Sequence, residues 1–400
     1  MRQVKIALKN VWRRQFAVSD IVSIAFLASI IIGLPYFVLF AKEKLIVDSD
    51  VVSFITGAKM VRSGVKNEIY DLPTQHFYQN QVVAPFVKEN ALPFKNFPIF
   101  ILPFIPFTFL PLRLSYIIFA FFNLAILGLF VFVSAKTFKR IKEFRLWFLA
   151  PFVFLPNILT IILGQLSIIL AFTYLFIYKS LKENKAFLAG VISGFLFLKP
   201  QYIVAVPFFL LLAKKRPVFL KGFIIVFLIL ILSTFLISGP DALLKYPSFL
   251  LLTENESFSG HTQRMFTLSS TLYYNPPIKF MSFKAVLILN ALLYFLFYYI
   301  FIRKYKQIEF SLAFASATIF SLLFAVHVLE HDLAILLVPI MLLINSALYN
   351  IARNIKFIIF ASLLFLMPLI VLLVSPVAGT LLSFTAAFIL LSKGDRLAFA

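Results

Sequence analysis

Residues 186–213 read AFLAGVISGFLFLKPQYIVAVPFFLLLA, two apolar runs joined by Lys199-Pro200. Proline inside a helix removes a backbone donor and clashes with the preceding turn, so the stretch reads as a hairpin of two short helices. At 13 residues each, runs 186–198 and 201–213 extend roughly 20 Å as helix at about 1.5 Å per residue. A hydrocarbon core is roughly 30 Å thick. The Lys199-Pro200 turn then lies below the membrane surface. Irregular backbone at that depth is tolerated only where protein buries it or water reaches it. Gly164-Gln165, ahead of the equally short run 166–178, makes the same demand. The expectation is a water-accessible recess.

Outward from this hairpin, the chain continues in the same manner. It is 62% hydrophobic and 13% charged, against roughly 45–50% and about 25% in soluble domains. The apolar runs do not alternate with polar residues as barrel strands would. The fold class is therefore all-α, a polytopic integral membrane protein with about twelve transmembrane helices. The expected spans are 21–40, 114–135, 146–163, 166–178, 186–198, 201–213, 218–238, 282–302, 310–328, 333–349, 357–374 and 377–391. The proline-interrupted segment 97–112 reads as a re-entrant or broken helix. Residues 1–400 form a single domain, with two long extracytoplasmic segments at 41–96 and 239–280. In the first, Val51, Phe54, Ile55, Ala58 and Val61 follow helical spacing, and Lys59 and Arg62 lie opposite. That pattern predicts a helix lying in the membrane interface.

The net charge of +21 invites a nucleic-acid reading. Its distribution argues otherwise. Twenty-four of the 37 Lys and Arg fall in the N-terminal segment, alternate loops and the C-terminal end, where the only acids are Asp20, Glu143, Glu183, Glu309 and Asp395. This is the positive-inside pattern. It places both termini in the cytoplasm and makes membrane lipids, not nucleic acid, the surroundings. With no cysteine, disulfides and thiolate metal sites are excluded.

The chemistry-bearing residues fall on the other side of this map. Asp48-Ser49-Asp50 precedes the predicted helix; a helix N-terminus favours an ionised carboxylate, suited to a general base, although the same residues are common N-caps. An Asp-x-Asp pair can also bind a divalent metal. Lys199 is an ionisable group at membrane depth, hence a functional candidate, with a phosphate as its natural partner and snorkelling as the plainer alternative. Gln165 can bond the same phosphate or a sugar hydroxyl. His327, Glu330, His331 and Asp332 form a dense polar turn. Its His-x-x-x-His spacing lacks the third ligand and catalytic glutamate of a zinc site, so anion binding or proton transfer is the better reading, beside simple interfacial polarity. Arg264 is a further phosphate candidate. No metal or cofactor is expected.

Several stretches also carry a likeness. They are Asp50 through Phe54, Gly57-Ala58 and Arg62 to Gly64, with Ile69-Tyr70-Asp71; Asn96-Phe97-Pro98 with Leu110-Pro111-Leu112; Gly164-Gln165-Leu166-Ser167; Ala189-Gly190 through Lys199-Pro200; and His331-Asp332-Leu333 through Pro339. In this order the chain resembles glycosyltransferase family 87, membrane enzymes of the GT-C superfamily that use polyprenyl-phosphate-linked mannose or related sugars. Ser167 stands where that family usually has Asn, and Phe54-Ile55 where it often has a Tyr pair. The resemblance implies a GT-C-like fold and an inverting hexosyltransferase, with mannose the first expectation. It implies a polyprenyl-phosphate sugar donor and a glycan or glycolipid acceptor at the outer face of a plasma membrane. It also implies Asp50 as catalytic base, with Lys199, His331 and Arg264 on the donor phosphate and Gln165, Asp48 and His327 toward substrate. A transporter or flippase for a lipid-linked or anionic substrate is the alternative; broken helices suit it, but the chain shows no internal repeat.

Overall fold

In a computed structural model, residues 32–141, 150–253, 265–274, 282–348 and 351–392 are described here. Among them every regular element is helical and no strand occurs. The expected span 21–40 falls mostly outside the described residues; 32–39 form a helix. Among the described residues five helices are long and apolar enough to cross a membrane: Leu112–Thr137, Arg216–Thr253, Phe283–Gln307, Glu330–Ala347 and Lys356–Leu373. Shorter apolar helices pack among them, including Ala186–Leu198, Pro200–Leu212, Phe310–Phe324 and Pro376–Ala387. The chain is a polytopic α-helical membrane protein.

The layering follows from which helices are wrapped. The Glu330–Ala347 window is 89% buried, whereas those of Arg216–Thr253 and Phe283–Gln307 are 17% buried. The first runs through the centre. The other two turn Leu228, Leu232 and Leu236, and Ile288, Leu292 and Phe295, outward, as lipid-facing helices do.

The Lys199 hairpin takes the form its sequence demands. The α-helix Ala186–Gly194 tightens into 3-10 turns over Phe195–Leu198; beyond Lys199, 3-10 turns at Pro200–Ala205 lead into Val206–Leu212. Glycines seat its first arm against Arg216–Thr253. A Cβ on Gly190 would lie 1.9 Å from the Phe219 carbonyl oxygen, and one on Gly222 2.3 Å from the Phe187 carbonyl oxygen. Small residues allow such close helix contacts in membranes. Carbonyls around the break find partners elsewhere: the Asn96 side-chain amide donates to Leu198 O, and Tyr294 OH donates to Val204 O at 3.0 Å. Buried irregular backbone is thereby satisfied, as a membrane interior requires.

Two of the expected extracytoplasmic segments take definite form. The helix predicted over the first outer segment forms as Val51–Arg62, but residues 51–58 are all buried in protein. Its apolar face meets the proline-rich 3-10 segment Pro98–Phe109, with Phe54 stacked on Phe104 at 4.7 Å between centroids. Arg62 is exposed, where it donates to Thr108 Oγ1 at 2.8 Å and lies over the Phe109 ring. Ser53 and Thr56, the polar side chains of its first two turns, donate to the carbonyls of Asp50 and Val52, so burial leaves them satisfied. The second extracytoplasmic segment, 239–280, begins as helix. Helix Arg216–Thr253 passes through a break at Gly239 (φ 76°) and resumes at Pro240. Glycine supplies the left-handed residue and proline suits the first helical turn, so the pair restarts a helix and does not end one. Segment 97–112 is broken as expected, forming 3-10 turns with Pro103 and Pro106 inside.

The stretch 88–96 is pinned by the helix Leu72–Val83. Gln79 accepts the Leu92 N–H, Gln75 accepts the Phe94 N–H, and His76 Nε2 pairs with the Lys88 carbonyl at 2.7 Å. Tyr70 OH and Tyr246 OH then donate to the carbonyls of Asn96 and Lys95.

Candidate functional site

The Gly164-Gln165 turn is pressed against the start of the Val51–Arg62 helix. The Asp50 N–H donates to Leu163 O at 2.9 Å. Gly164 ends the helix Leu155–Leu163 at φ 65°, and a Cβ there would lie 2.3 Å from Val51 Cγ2. Only glycine satisfies both the left-handed backbone and that contact.

Asp50 occupies the N-cap position, yet its carboxylate makes no capping hydrogen bond. It accepts instead from the Gln165 side-chain amide through Oδ2, and the residue remains partly exposed. The position expected to keep this acid fully ionised has a different effect. Burial pushes the Asp50 carboxyl up to about 6, against the pull of Lys199, the Gln165 hydrogen bond and Lys95; the charge of Asp332 acts in the same direction as burial. A carboxyl placed there can gain and lose a proton near neutral pH, as a general base requires.

Lys199 lies in extended backbone between the two arms of the hairpin (φ −130°, ψ 97°). Its ammonium donates to Asp332 Oδ1 at 2.5 Å and lies 3.5 Å from His331 Nε2. Asp332 is wholly buried, and His331 is 4% exposed. Both belong to the 3-10 segment Glu330–Leu336 that opens the central helix. Ser167 Oγ donates to Asp332 Oδ1 at 2.7 Å, and the Leu329 N–H donates to Oδ2 at 3.3 Å. Three separate regions, at 164–167, 199 and 329–332, therefore meet beside Asp50.

Of the residues singled out in the sequence, Asp50, Gln165, Lys199 and His331 converge. His327 is half-buried on the approach to the same turn. Asp48 does not join them: its side chain is 57% exposed and pairs with Lys88 at 3.1 Å. Ser49 Oγ donates to Ile46 O at 2.7 Å. Gln165, expected on a phosphate or sugar hydroxyl, bonds Asp50 because the Gly164 turn brings it there. Arg264 and His261 lie outside the described residues. Among the described residues no three His, Asp or Glu side chains group as metal ligands would.

Sequence reasoning missed three contributions. Asp332 was seen only as part of a polar turn, although an intramembrane lysine calls for an acid partner; that search would have found it. Ser167, which stands where the resembling family usually has Asn, bonds Asp332. Lys95 sends Nζ to the Thr253 carbonyl at 3.1 Å and its charge reaches Asp50; nothing in its local sequence sets it apart from Lys88.

The arrangement offers a proton acceptor reachable by solvent, next to a cation held by buried partners. Such a site can deprotonate a hydroxyl and stabilise negative charge developing on a neighbouring atom. A family model described as Glycosyltransferase family 87 matches residues 94–325. No curated protein and no solved structure matches the chain.

Proposed function

The chain belongs to glycosyltransferase family 87, and from that premise we propose that it transfers a hexose, mannose first, from a polyprenyl-phosphate donor to a lipid or glycan hydroxyl. The observation that carries this reading is the pairing of a partly exposed Asp50, poised near pH 6, with the Lys199–His331 cluster beside it.

In the proposed reaction the acceptor hydroxyl gives its proton to Asp50 as its oxygen bonds the anomeric carbon. The bond from that carbon to the phosphate oxygen breaks on the opposite face, with inversion. The polyprenyl phosphate leaves carrying one further negative charge. Lys199 faces that growing charge as a cation and His331 as a hydrogen-bond partner, with Arg264 as a further cation from the segment 239–280. Cations already in place favour the transition state over the ground state. A phosphate leaving group needs little protonation, which suits a site with one free carboxylate. Positive-inside charge supports an extracytoplasmic site with both termini inside; the plasma membrane is what the family implies.

The test is transfer of labelled sugar from polyprenyl-phosphate mannose by the full-length protein in detergent, with polyprenyl-phosphate glucose as competitor. Asp50→Asn should cut turnover by roughly 100- to 10,000-fold. Its fold should not suffer. The raised carboxyl in the folded state favours the protonated form, so this group contributes stability at low pH that is lost as pH rises through about 6. A neutral amide escapes that loss, and at pH 8 the variant should melt no lower than the parent. Full turnover in Asp50→Asn would remove the base from this mechanism; a donor preference for glucose would replace the sugar.

A further inference from the structure

We infer that Asp332 is a positioning residue for the transfer reaction: with Ser167 it holds the Lys199 ammonium on the leaving-group side and keeps it from closing onto Asp50. This rests on reading Asp50 as the base and Lys199 as a partner of the donor phosphate.

Lysine is a point charge on a flexible four-carbon stem, and its position is set by what grips it. Two carboxylates compete for Lys199. One is Asp50, whose ionisation the Lys199 charge favours. The other is Asp332, to which Lys199 is bonded at 2.5 Å. Asp332 wins for a physical reason. It is 0% exposed, and a buried carboxylate without a counter-ion is costly, whereas Asp50 retains contact with solvent. The grip is itself oriented. Ser167 Oγ at 2.7 Å shares Oδ1 with Lys199, the Leu329 N–H takes Oδ2, and His331 Nε2 lies 3.6 Å from Oδ1. Asp332 is thus fixed from the Gly164 turn and from its own segment before Lys199 reaches it.

The consequence concerns charge flow. Before transfer, Lys199 lies between an ionised Asp50 and the donor phosphate. As the acceptor proton arrives, Asp50 becomes neutral while charge builds on the departing phosphate oxygen. A cation held by Asp332 then gains attraction toward the leaving group without having to leave the base. A cation bonded to Asp50 would occupy the lone pair that must take the proton. The groups facing Asp50 are Gln165 from the Gly164 turn, Lys199 from the hairpin, Asp332 with neighbouring His331 from the late turn, and Lys95 from the pinned stretch.

Kinetics of the full-length protein in detergent test this. Asp332→Asn should lower kcat roughly 10- to 100-fold, with a smaller rise in donor KM. It should also move the acid limb of the pH–rate profile down by about one unit, because a negative neighbour is lost and the freed ammonium turns to Asp50. Ser167→Ala keeps the Asp332 charge, so it should lower kcat by a few-fold with the limb in place. An Asp332→Asn protein with parental kcat and an unmoved limb overturns the inference, as does one that loses only folded yield. If that variant does not fold, Asp332→Glu and Ser167→Ala decide: reduced kcat with an unmoved limb supports the inference, and parental kcat in both overturns it. Failure of the underlying reading looks different. It shows as no transfer by the parent protein from any polyprenyl-phosphate sugar, or as full transfer by Asp50→Asn.

Discussion

Two carboxylates meet in this site, and their surroundings are opposites. Asp332 lies wholly buried, with Lys199, Ser167 and a backbone N–H all donating to it. Asp50 is partly exposed and accepts from one side chain, Gln165. A buried carboxylate bonded by three donors, one of them a cation, is tied to its counter-ion and serves as an anchor. One left with a single side-chain donor in a water-accessible position keeps its basicity. The division of labour follows from burial and donor count, not from residue type.

The contact that separates the two acids is the Gly164 turn, and breaking it should have the largest effect on the comparison. Gly164→Ala forces a Cβ to 2.3 Å from Val51 Cγ2 and places a side chain on a left-handed residue at φ 65°. The backbone penalty alone is about 1–2 kcal/mol. Gln165 and Ser167, which serve Asp50 and Asp332 respectively, both follow this turn. Displacing the groups this turn positions should cut sugar transfer at least about tenfold, and the backbone strain should lower the melting temperature. Parental values for both would show that the turn does not hold the acids apart.

A finer cut removes only the donor to Asp50. Gln165→Leu deletes a hydrogen bond that favours the ionised carboxylate, so the carboxyl should rise further above about 6. Asp50 must be ionised to accept a proton, and activity is lost as pH falls through its pKa. The acid limb should therefore move to higher pH, with the loss greatest at pH 6 and small at pH 8. A limb that stays put or moves down would show that Gln165 does not set the basicity of Asp50.

Much of this was legible because a charged residue beside a proline is rare inside an apolar run. Lys199-Pro200 marked both the hairpin and its depth, and the apolar spacing of Val51, Phe54, Ile55, Ala58 and Val61 marked the Val51 helix. The pairings across the fold were not legible. Gln165 meets Asp50 from 115 positions away, and Asp332 meets Lys199 from 133. Local pattern carries no register between helices so distant, and a polar residue in one turn has several candidate partners. The burial of the Val51 helix was hidden for a related reason. An apolar stripe opposite two basic residues reads the same whether lipid or the Phe94–Phe104 segment covers it, and only tertiary packing decides.

Asp48 gives the smallest effect and the sharpest control, because it shares the Asp-x-Asp motif with Asp50. Its side chain is 57% exposed, and its partner Lys88 is also bonded to the Val47 carbonyl at 3.0 Å. An exposed ion pair contributes about 0–1 kcal/mol, and Lys88 keeps its backbone contact when the pair is broken. Asp48→Asn should therefore change turnover less than about threefold and leave the pH profile in place. A loss comparable to that of Asp50→Asn would mean that the two aspartates act as a unit, as a metal-binding pair would. Titration of the parent protein with a chelator, followed by readdition of magnesium or manganese, would then separate a metal site from a second base.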